Sequence, residues 1–234
     1  MDRAREMWAG LTRVPVTFPT RGDVSVVVSP GSWLCPPRWT GVVALDGAIL
    51  ATVPGSELVE PLRDLLLDQV GRADIDLAQV PAELPALDVL GPATLAYLAA
   101  GDFSAVHADT EVEALPAGHP DVRALLASVN GRDADESGLE EIASAAFVVR
   151  GGSSVIAAAG YRPWLDTAAH LSVLTVPECR GRGLARAVAS AAVADALGNR
   201  LLPQWRARPE PSRRVARALG FRELGSQISV RLGP

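Results

Sequence analysis

The stretch of sequence that decides the fold is Val176-Pro177-Glu178-Cys179-Arg180-Gly181-Arg182-Gly183-Leu184-Ala185-Arg186. It joins an alternating apolar run over 169–176 to a long alanine-rich segment that ends at Gly198. This pattern predicts a strand, a tight glycine turn and a helix. The first amides of a helix have no partner inside the helix, and the helix dipole places partial positive charge there. We therefore expect the turn to bind an anion, and a pyrophosphate suits it best.

Two common phosphate-binding motifs do not fit this turn. A dinucleotide fold requires G-x-G-x-x-G early in the chain, and a Walker loop requires a lysine, which this chain does not contain. The pattern Arg/Gln-x-x-Gly-x-Gly/Ala does fit, as Arg180-Gly181-Arg182-Gly183-Leu184-Ala185. On this motif the sequence resembles the GNAT superfamily of acyl-CoA-dependent N-acetyltransferases. For the motif alone, a turn that only connects a strand to a helix is the alternative.

The sequence after this helix carries a second motif. Residues 201–208 predict a strand and residues 209–221 a helix, and two further strands are expected through Leu232. Pro211 suits the first turn of that helix, and Gly220 suits the left-handed residue that ends it. The resulting order, strand, helix, strand, helix, strand, strand, resembles the carboxyl-terminal half of the GNAT family.

The helix over 209–221 also resembles the family in its residues. Its sequence follows the pattern Asn-x-x-Ser-x-x-Val/Leu-Ala-x-x-Leu-Gly-Phe, with Pro209 where Asn is usual and Ser212 in the Ser place. The branch that the chain resembles most has Pro-x-Trp before this helix, which is present as Pro203-Gln204-Trp205. Two motifs at the family's separation favour the resemblance over a simple connecting turn.

The resemblance implies a fold and a cosubstrate. The fold class is α/β (α+β): a GNAT fold with a mixed central β-sheet flanked by helices, and an amino-terminal degenerate GNAT-like half. The cosubstrate is acetyl-CoA, and no metal is expected. The pantetheine arm would pair like an extra strand with Leu174, Thr175 and Val176. The contacts implied for the pyrophosphate turn are Arg180, Gly181, Arg182, Gly183, Leu184, Ala185 and Arg186, with Ser212 as a further cosubstrate-binding residue.

The implied reaction is direct attack of a primary amine on the thioester. It needs a base, a donor to the developing oxyanion and an acid for the leaving thiolate. A backbone N–H near Leu174 is the expected oxyanion donor. Many relatives place a tyrosine four positions after Ser212, where this chain has Ala216, so Ser212 is the candidate acid. A helix-capping or CoA-bonding role is the alternative for this serine.

The candidate base is His170, on the strand before the glycine turn, where relatives often carry glutamate. An ordinary imidazole pKa near 6.5 would suit proton removal at neutral pH. A structural role is the alternative for this histidine, and Glu140 and Glu141, in a short helix expected over 136–142, are the other candidate bases. Because the tyrosine is missing, a CoA-binding sensor or scaffold without transfer activity also stays open.

The chain is interpreted as two domains. Residues 1–108 are expected to form the degenerate GNAT-like domain on the acceptor side, and residues 109–234 the catalytic domain. In the first we expect a strand over 23–28, a hairpin over 39–53 turning at Asp46-Gly47, a helix from Ser56 as N-cap through Val70, a connector over 78–92 and a short helix over 92–100. The second is expected to begin with a strand over 111–115, a helix over 121–129 and a hairpin over 145–160.

Composition narrows the class of protein. The chain has 234 residues, of which 48% are hydrophobic, and this length allows a sizeable core in one large domain or two small ones. No apolar run approaches the ~20 residues that span a bilayer, and the segment 1–6 is unlike a signal peptide, so a cytoplasmic location is expected. Cys35 and Cys179 are expected to be free thiols, and the histidines and cysteines are not spaced for zinc.

Charge narrows the choice of partners. The net charge of −5 argues against general nucleic-acid affinity. A local exception is the segment 206–222, which holds Arg206, Arg208, Arg213, Arg214, Arg217 and Arg222. A solvated helix face, attraction of CoA phosphates and a nucleic-acid-binding arm are its three interpretations. The partners expected are acetyl-CoA and a small-molecule or peptide amine, with no nucleic acid and no membrane; a homodimer is left open.

Overall fold

The computed structural model describes residues 1–71, 75–106 and 110–233. The chain divides into two compact units. The first is Met1–Ala96 together with Glu223–Pro234, and the second is Tyr97–Arg222. The domain boundary expected between residues 108 and 109 falls outside the described residues, and it stays a prediction.

The elements are named here in chain order. The helices are α1 (Asp2–Leu11), α2 (Val59–Val70), α3 (Pro120–Ser128), α4 (Gly131–Ser137), α5 (Leu184–Gly198) and α6 (Glu210–Ala218). The strands are β1 (Val24–Val28), β2 (Thr40–Leu45), β3 (Ala48–Val53), β4 (Ala86–Tyr97), β5 (Glu113–Leu115), β6 (Ala146–Gly151), β7 (Ser154–Trp164), β8 (Ala168–Thr175), β9 (Leu202–Ala207) and β10 (Arg222–Leu232). Short 3₁₀ segments lie at Ser56–Leu58, Leu77–Glu83, Ala100–Asp102, Leu139–Glu141 and Pro177–Cys179.

The first unit is built on a mixed sheet with the strand order β1-β3-β2-β10-β4. β1 pairs with β3 in parallel, and β2 pairs antiparallel with β3 and with β10. Leu62 and Leu66 of α2 belong to the hydrophobic cluster on this sheet. The predicted hairpin is confirmed: it turns at Asp46 and Gly47, whose φ angles of 50° and 74° match the right-handed twist of the strands.

Three expectations for this unit are wrong. Ser56 does not cap α2, because it begins a 3₁₀ segment and the helix starts at Val59 without a side-chain cap. Residues 92–97 belong to β4, where Leu95 is fully buried, so sheet pairing overrides the helix propensity of the alanines and leucines. The two strands expected near the carboxyl end are one continuous strand, β10.

The second unit contains a mixed sheet with the strand order β9-β8-β7-β6-β5. β8 and β9 are parallel, and the other pairs are antiparallel. A hydrophobic cluster that includes Leu125 of α3 and Leu174 of β8 covers one face. α5 packs on the opposite face. Ala158 of β7 belongs to the cluster, and Tyr161, three residues later, points to the other side of the sheet. The hydroxyl of Tyr161 bonds Asp195 of α5 there.

The elements around the predicted anion turn are confirmed. β8, α5, β9 and α6 lie where the pattern places them, and Gly220 after α6 has the left-handed φ of 96°. The short helix expected over 136–142 is wrong. α4 ends at Ser137, Gly138 adopts a φ of 62°, and a 3₁₀ segment follows.

The predicted fold class is confirmed as a mixed α/β fold with central mixed sheets flanked by helices. A degenerate GNAT-like character of the first unit stays a prediction. In the described part of the chain, no helix is both long and apolar enough to cross a membrane.

Candidate functional site

β8 and β9 separate partway along their length. Their parallel register ends at the pair His170 and Gln204, although β8 continues to Thr175 and β9 to Ala207. Residues 171–175 keep β7 as their sheet partner on one side. On the other side they present a strand edge that does not pair with β9, directly before the glycine turn.

The direction of the backbone groups shows which amides face this separated edge. The Val176 N–H donates to the oxygen of Ile156 in β7 at 3.0 Å. The backbone of Leu174 points the same way, because alternate residues of a strand face the same side. The N–H groups of Val173 and Thr175 therefore face the separated edge. The oxyanion donor expected near Leu174 corresponds to one of these two amides.

The glycine turn leaves the start of α5 accessible. Gly181 and Gly183 have φ angles of 77° and 81°, in the left-handed region that favours glycine. Apart from the glycine and its two chain neighbours, no heavy atom of the described residues lies within 4 Å of a Cβ built on either glycine. The first helical bond runs from the Ala187 N–H to the Gly183 oxygen, and the first turn contains no acidic residue and no side-chain cap. The amides before Ala187 are thus free to bind an anion.

The arginines of the turn occupy two different settings. Arg180 is tied down: its Nη2 donates to Asp133 at 2.7 Å and its Nε to the Thr175 oxygen at 3.3 Å. Arg182 and Arg186 are exposed on the turn and the first turn of α5. Their positive charge adds to that of the helix dipole, so both favour an anion at this position.

Thr175 is a buried hydroxyl at the end of the separated edge. It is 8% exposed, and its Oγ1 has no hydrogen-bond partner among the described residues. Buried hydroxyl groups are normally bonded, so this oxygen is open to a hydrogen bond with a ligand. The strand edge, the hydroxyl and the glycine turn together fit an extended thioester whose far end carries a pyrophosphate.

Ser212 lies in the first turn of α6, next to β9. Its Oγ accepts a hydrogen bond from Trp205 Nε1 at 3.0 Å. Trp205 is 5% exposed and meets the ring of Phe221 edge-on, with ring centroids 5.5 Å apart. Because the serine oxygen accepts from tryptophan, its own hydrogen remains to be donated elsewhere. The capping alternative is wrong, since α6 has no side-chain cap.

His170 lies at the point where the strands part. Its ring stacks on Trp164 with centroids 4.3 Å apart, and its Nδ1 is 3.2 Å from Gln204 Oε1. The pKa of His170 is lowered from 6.5 to about 3, chiefly by burial of the ring and then by the charges of Arg206 and Arg162, while the Gln204 bond acts in the opposite direction. The expected pKa near 6.5 is therefore wrong. The imidazole is neutral and weakly basic near neutral pH.

Glu140 and Glu141 lie in the 3₁₀ segment after α4, and both are exposed. Glu141 Oε2 accepts from Arg162 Nη1 at 2.8 Å. Arg162 is opposite His170 in the register of β7 and β8. The structure therefore brings Glu141 to the His170 side of the sheet through this ion pair.

The site's side chains divide between the two faces of the sheet. His170, Gln204 and Arg162 share one face of the sheet. α4 and the 3₁₀ segment that follows it cover this face, since the Ser172 hydroxyl on the same face donates to the Gly138 oxygen at 3.0 Å. The opposite face carries Thr175, Trp205 and Ser212, beside α5 and α6. The separated strands thus have two chemically different sides.

Two residues that sequence reasoning did not single out as site residues join His170. Gln204 is fully buried, and its Nε2 donates to Tyr97 Oη at 3.2 Å. A polar residue inside the apolar run of β9 was a signal for Gln204. Tyr97 lies 107 residues earlier, so no local pattern could have found it.

Metal-binding potential, the cysteines and the arginine-rich segment complete the description of the charged and reactive side chains. Among the described residues, no group of three or more His, Cys, Asp or Glu side chains could hold a metal ion. Cys35 and Cys179 are free thiols. In α6, Glu210 forms ion pairs with Arg213, Arg214 and Arg217, so part of the positive charge of the arginine-rich segment is compensated.

The part of the chain that contains this site matches a known protein-family model. Residues 144–226, which contain β8, the glycine turn, α5, β9 and α6, match the family model of GNAT acetyltransferases. The match covers less than half of the chain. No curated protein gives a significant match to the sequence.

Solved structures resemble the chain at low identity. A GCN5-related N-acetyltransferase from Kribbella flavida is 19% identical with a TM-score of 0.50, covering 68% of this chain and 64% of its own. A GNAT-family protein from Novosphingobium aromaticivorans is 24% identical with a TM-score of 0.48, and the match covers 62% of this chain and 65% of that protein. A tandem GNAT protein from the clavulanic acid biosynthesis pathway is 15% identical with a TM-score of 0.44, covering 85% and 66%. The chain thus spans just under two thirds of the first two.

The family-model match and the fold support the GNAT superfamily. The particular branch, with its Pro-x-Trp motif, stays a prediction.

Proposed function

We propose that this protein is an acyl-CoA-dependent N-acyltransferase that moves an acetyl group from acetyl-CoA to a primary amine. The observation that carries the proposal is the separation of β8 from β9 directly before a glycine turn that opens α5. A pantetheine arm can pair along the edge of residues 171–175, as a peptide adds to a sheet, while the pyrophosphate lies on the amides from Gly181 to Arg186. The family-model match covers this region.

The two faces of the separated strands suit the two halves of the reaction. The amine approaches on the His170 side, its nitrogen bonds the carbonyl carbon, and the bond from that carbon to sulfur breaks. The N–H of Val173 or Thr175 stabilises the negative charge on the carbonyl oxygen. Ser212, on the opposite face, donates its proton to the leaving thiolate and is reprotonated from solvent, while the proton that the amine releases passes to a base on the His170 side.

The candidate bases differ in what they can do. His170 cannot carry the proton at neutral pH, since its pKa is lowered to about 3. We infer that the amine arrives neutral and that His170 accepts a hydrogen bond from it. Glu141, next to Arg162, and its neighbour Glu140 remain candidates to receive the proton through a water.

A second candidate function is a CoA-binding sensor without transfer activity. Two observations favour it. Ala216, at the position where relatives carry tyrosine, is 2% exposed and has no hydroxyl. The imidazole of His170 is a weak base.

A thiol-release screen, combined with calorimetry, separates the two functions. Acetyl-CoA is incubated with the protein and with amino acids, polyamines, aminoglycosides or peptide amino termini, and free CoA is measured with a thiol reagent. Release that depends on one class of amine supports the transferase. Acetyl-CoA binding without release in any mixture supports the sensor, and the absence of binding contradicts both.

A further inference from the structure

The hydrogen bonds around Gln204 determine where the proton of the His170 ring lies. Gln204 is fully buried and uses both ends of its amide: Nε2 donates to Tyr97 Oη at 3.2 Å, and Oε1 lies 3.2 Å from His170 Nδ1. A carbonyl oxygen can only accept, so the hydrogen of this bond must be on Nδ1. A neutral imidazole carries one N–H, which leaves Nε2 with its lone pair.

We propose that Gln204 and Tyr97 are positioning residues that hold His170 in the Nδ1–H tautomer, so that Nε2 accepts a hydrogen bond from the incoming amine. The proposal rests on the proposed transfer reaction. Its core, the tautomer, is a property of the free protein and can be tested without acetyl-CoA.

The choice of tautomer matters for the chemistry. With Nε2 as acceptor, the ring binds an N–H of the amine and leaves the nitrogen lone pair directed elsewhere, available for attack. The other tautomer would present an N–H, and the amine would have to use its lone pair to accept it. The lone pair is the electron pair that forms the new bond, so that arrangement would oppose the reaction.

The surroundings of the ring keep this arrangement in place. Trp164 stacks on it with 17° between the ring planes, which fixes the orientation of the imidazole. The charged groups that face it are Arg162 from β7 and Arg206 from β9, with Glu141 paired to Arg162. Two cations near the ring, together with its burial, disfavour the imidazolium, so the neutral tautomer persists through neutral pH.

Nitrogen-15 NMR of the free protein, labelled at histidine, tests the assignment directly. The chain contains three histidines, and a His170→Asn variant identifies the signals of His170. We expect a protonated Nδ1 and an unprotonated Nε2 from pH 5 to pH 8. A protonated Nε2, or two tautomers in similar amounts, would overturn the proposal.

Three variants test the role of the positioning residues. Gln204→Met removes the acceptor at similar size and should shift the tautomer population, whereas Gln204→Glu keeps an oxygen acceptor and should retain Nδ1–H. Because Gln204 is buried, Tyr97→Phe, which removes a single oxygen, serves as the second variant and should shift the population part of the way. An unchanged His170 spectrum in both Gln204→Met and Tyr97→Phe contradicts the proposal.

Kinetics with an accepted amine then connect the tautomer to turnover. Misplacing an acceptor group costs roughly 10- to 100-fold in rate, so Gln204→Met should lower kcat by about that factor and leave the KM for acetyl-CoA unchanged. If the tautomer is as expected but no amine is acetylated, the proposed function fails and the hydrogen-bond assignment stands. If Gln204→Met turns over at the parent rate, the positioning role is wrong.

Discussion

Two turns in the molecule lead from a buried strand through a 3₁₀ segment into a helix. One connects β8 to α5 in the second unit, and the other connects β3 to α2 in the first. In the turn from β8 to α5, Gly181 and Gly183 adopt left-handed φ angles, and the first turn of α5 has no acidic residue. In the other, Gly55 has an ordinary extended φ of −140°.

The acidic residues make the second difference between the two turns. Both turns carry one glutamate in their 3₁₀ segment, Glu57 before α2 and Glu178 before α5. Only α2 also has an acidic residue, Glu60, in the first turn of the helix. The Glu57 carboxylate lies against the position that a side chain on Gly55 would take. These carboxylates already compensate the positive end of the α2 dipole and would repel a pyrophosphate. A strand, a turn and a helix therefore do not by themselves favour an anion. The turn after β8 differs in its left-handed glycines and in having no acidic residue in the first turn of the helix that follows.

The largest effect is expected from dividing the chain at the predicted domain boundary. A fragment of residues 109–234 keeps β10 but lacks β2, with which β10 pairs from Gly225 to Val230. Ile228 and Val230, fully buried in the cluster of the first unit, would lose that cover. We expect this fragment to be insoluble or inactive in expression and thiol-release assays.

A fragment of residues 97–222 is the matched control for that division. It corresponds to the second unit, retains Tyr97 and omits β10. It should be the more soluble of the two when both are expressed under the same conditions. A 109–234 fragment with full solubility and activity would show that the predicted anion turn needs nothing from the first unit.

The position of β10 also shows where sequence patterns reach their limit. Local patterns correctly predicted β8, the glycine turn, α5 and α6, because these elements depend on neighbours in sequence. β10 was expected as two strands. Its Gly225 lies within the strand because the backbone of Ala44 approaches so closely that a Cβ would clash with it, and no pattern near Gly225 contains that information.

The candidate site shows the same limit. The sequence placed His170 on the strand before the turn, and the structure agrees. Its chemistry could not be predicted, because the pKa depends on Arg206 and Gln204 of β9 and on burial of the ring. Ser212 was identified from the motif, whereas its bond from Trp205 depends on how α6 packs on β9.

A charge placed in the glycine turn should give the next largest effect. Asparagine and aspartate both tolerate left-handed φ and are similar in size, so Gly183→Asn and Gly183→Asp differ mainly in charge. We expect Gly183→Asp to lose acetyl-CoA affinity by roughly 10-fold, equivalent to about 1.4 kcal/mol, because a carboxylate would face the pyrophosphate at the helix start. Gly183→Asn should stay close to the parent in calorimetry.

Ser56→Asp is the matched control in the other turn. Ser56 is exposed at the 3₁₀ segment before α2, so the variant adds the same charge to the turn that already carries Glu57. Acetyl-CoA affinity should not change. Equal losses from Gly183→Asp and Ser56→Asp would mean that net charge, rather than the turn after β8, determines binding. Equal losses from Gly183→Asp and Gly183→Asn would point to backbone strain instead.

The smallest effect is expected from a contact at the carboxyl end of α5. This contact helps to fix the helix on the sheet, and the position of the helix determines where its first amides point. Tyr161 Oη donates to Asp195 Oδ2 at 2.6 Å and accepts from Asn199 Nδ2 at 3.1 Å. Tyr161→Phe should lower the free energy of unfolding by about 1 kcal/mol in urea titrations, with acetyl-CoA affinity unchanged. A loss of affinity in this variant would show that the position of α5 depends on this hydrogen bond.

The difference between parent and Tyr161→Phe should also depend on pH. Burial, followed by the bond to Asp195, raises the pKa of Tyr161 from 10.0 to about 12. The unfolded phenol therefore ionises first as pH rises, so the stabilisation by Tyr161 is fully present below pH 10 and is lost between pH 10 and pH 12. Urea titrations of both proteins at pH 8 and at pH 11 should show the difference narrowing at the higher pH. If the difference in free energy of unfolding is the same at both pH values, ionisation of Tyr161 does not weaken its stabilising contact with α5.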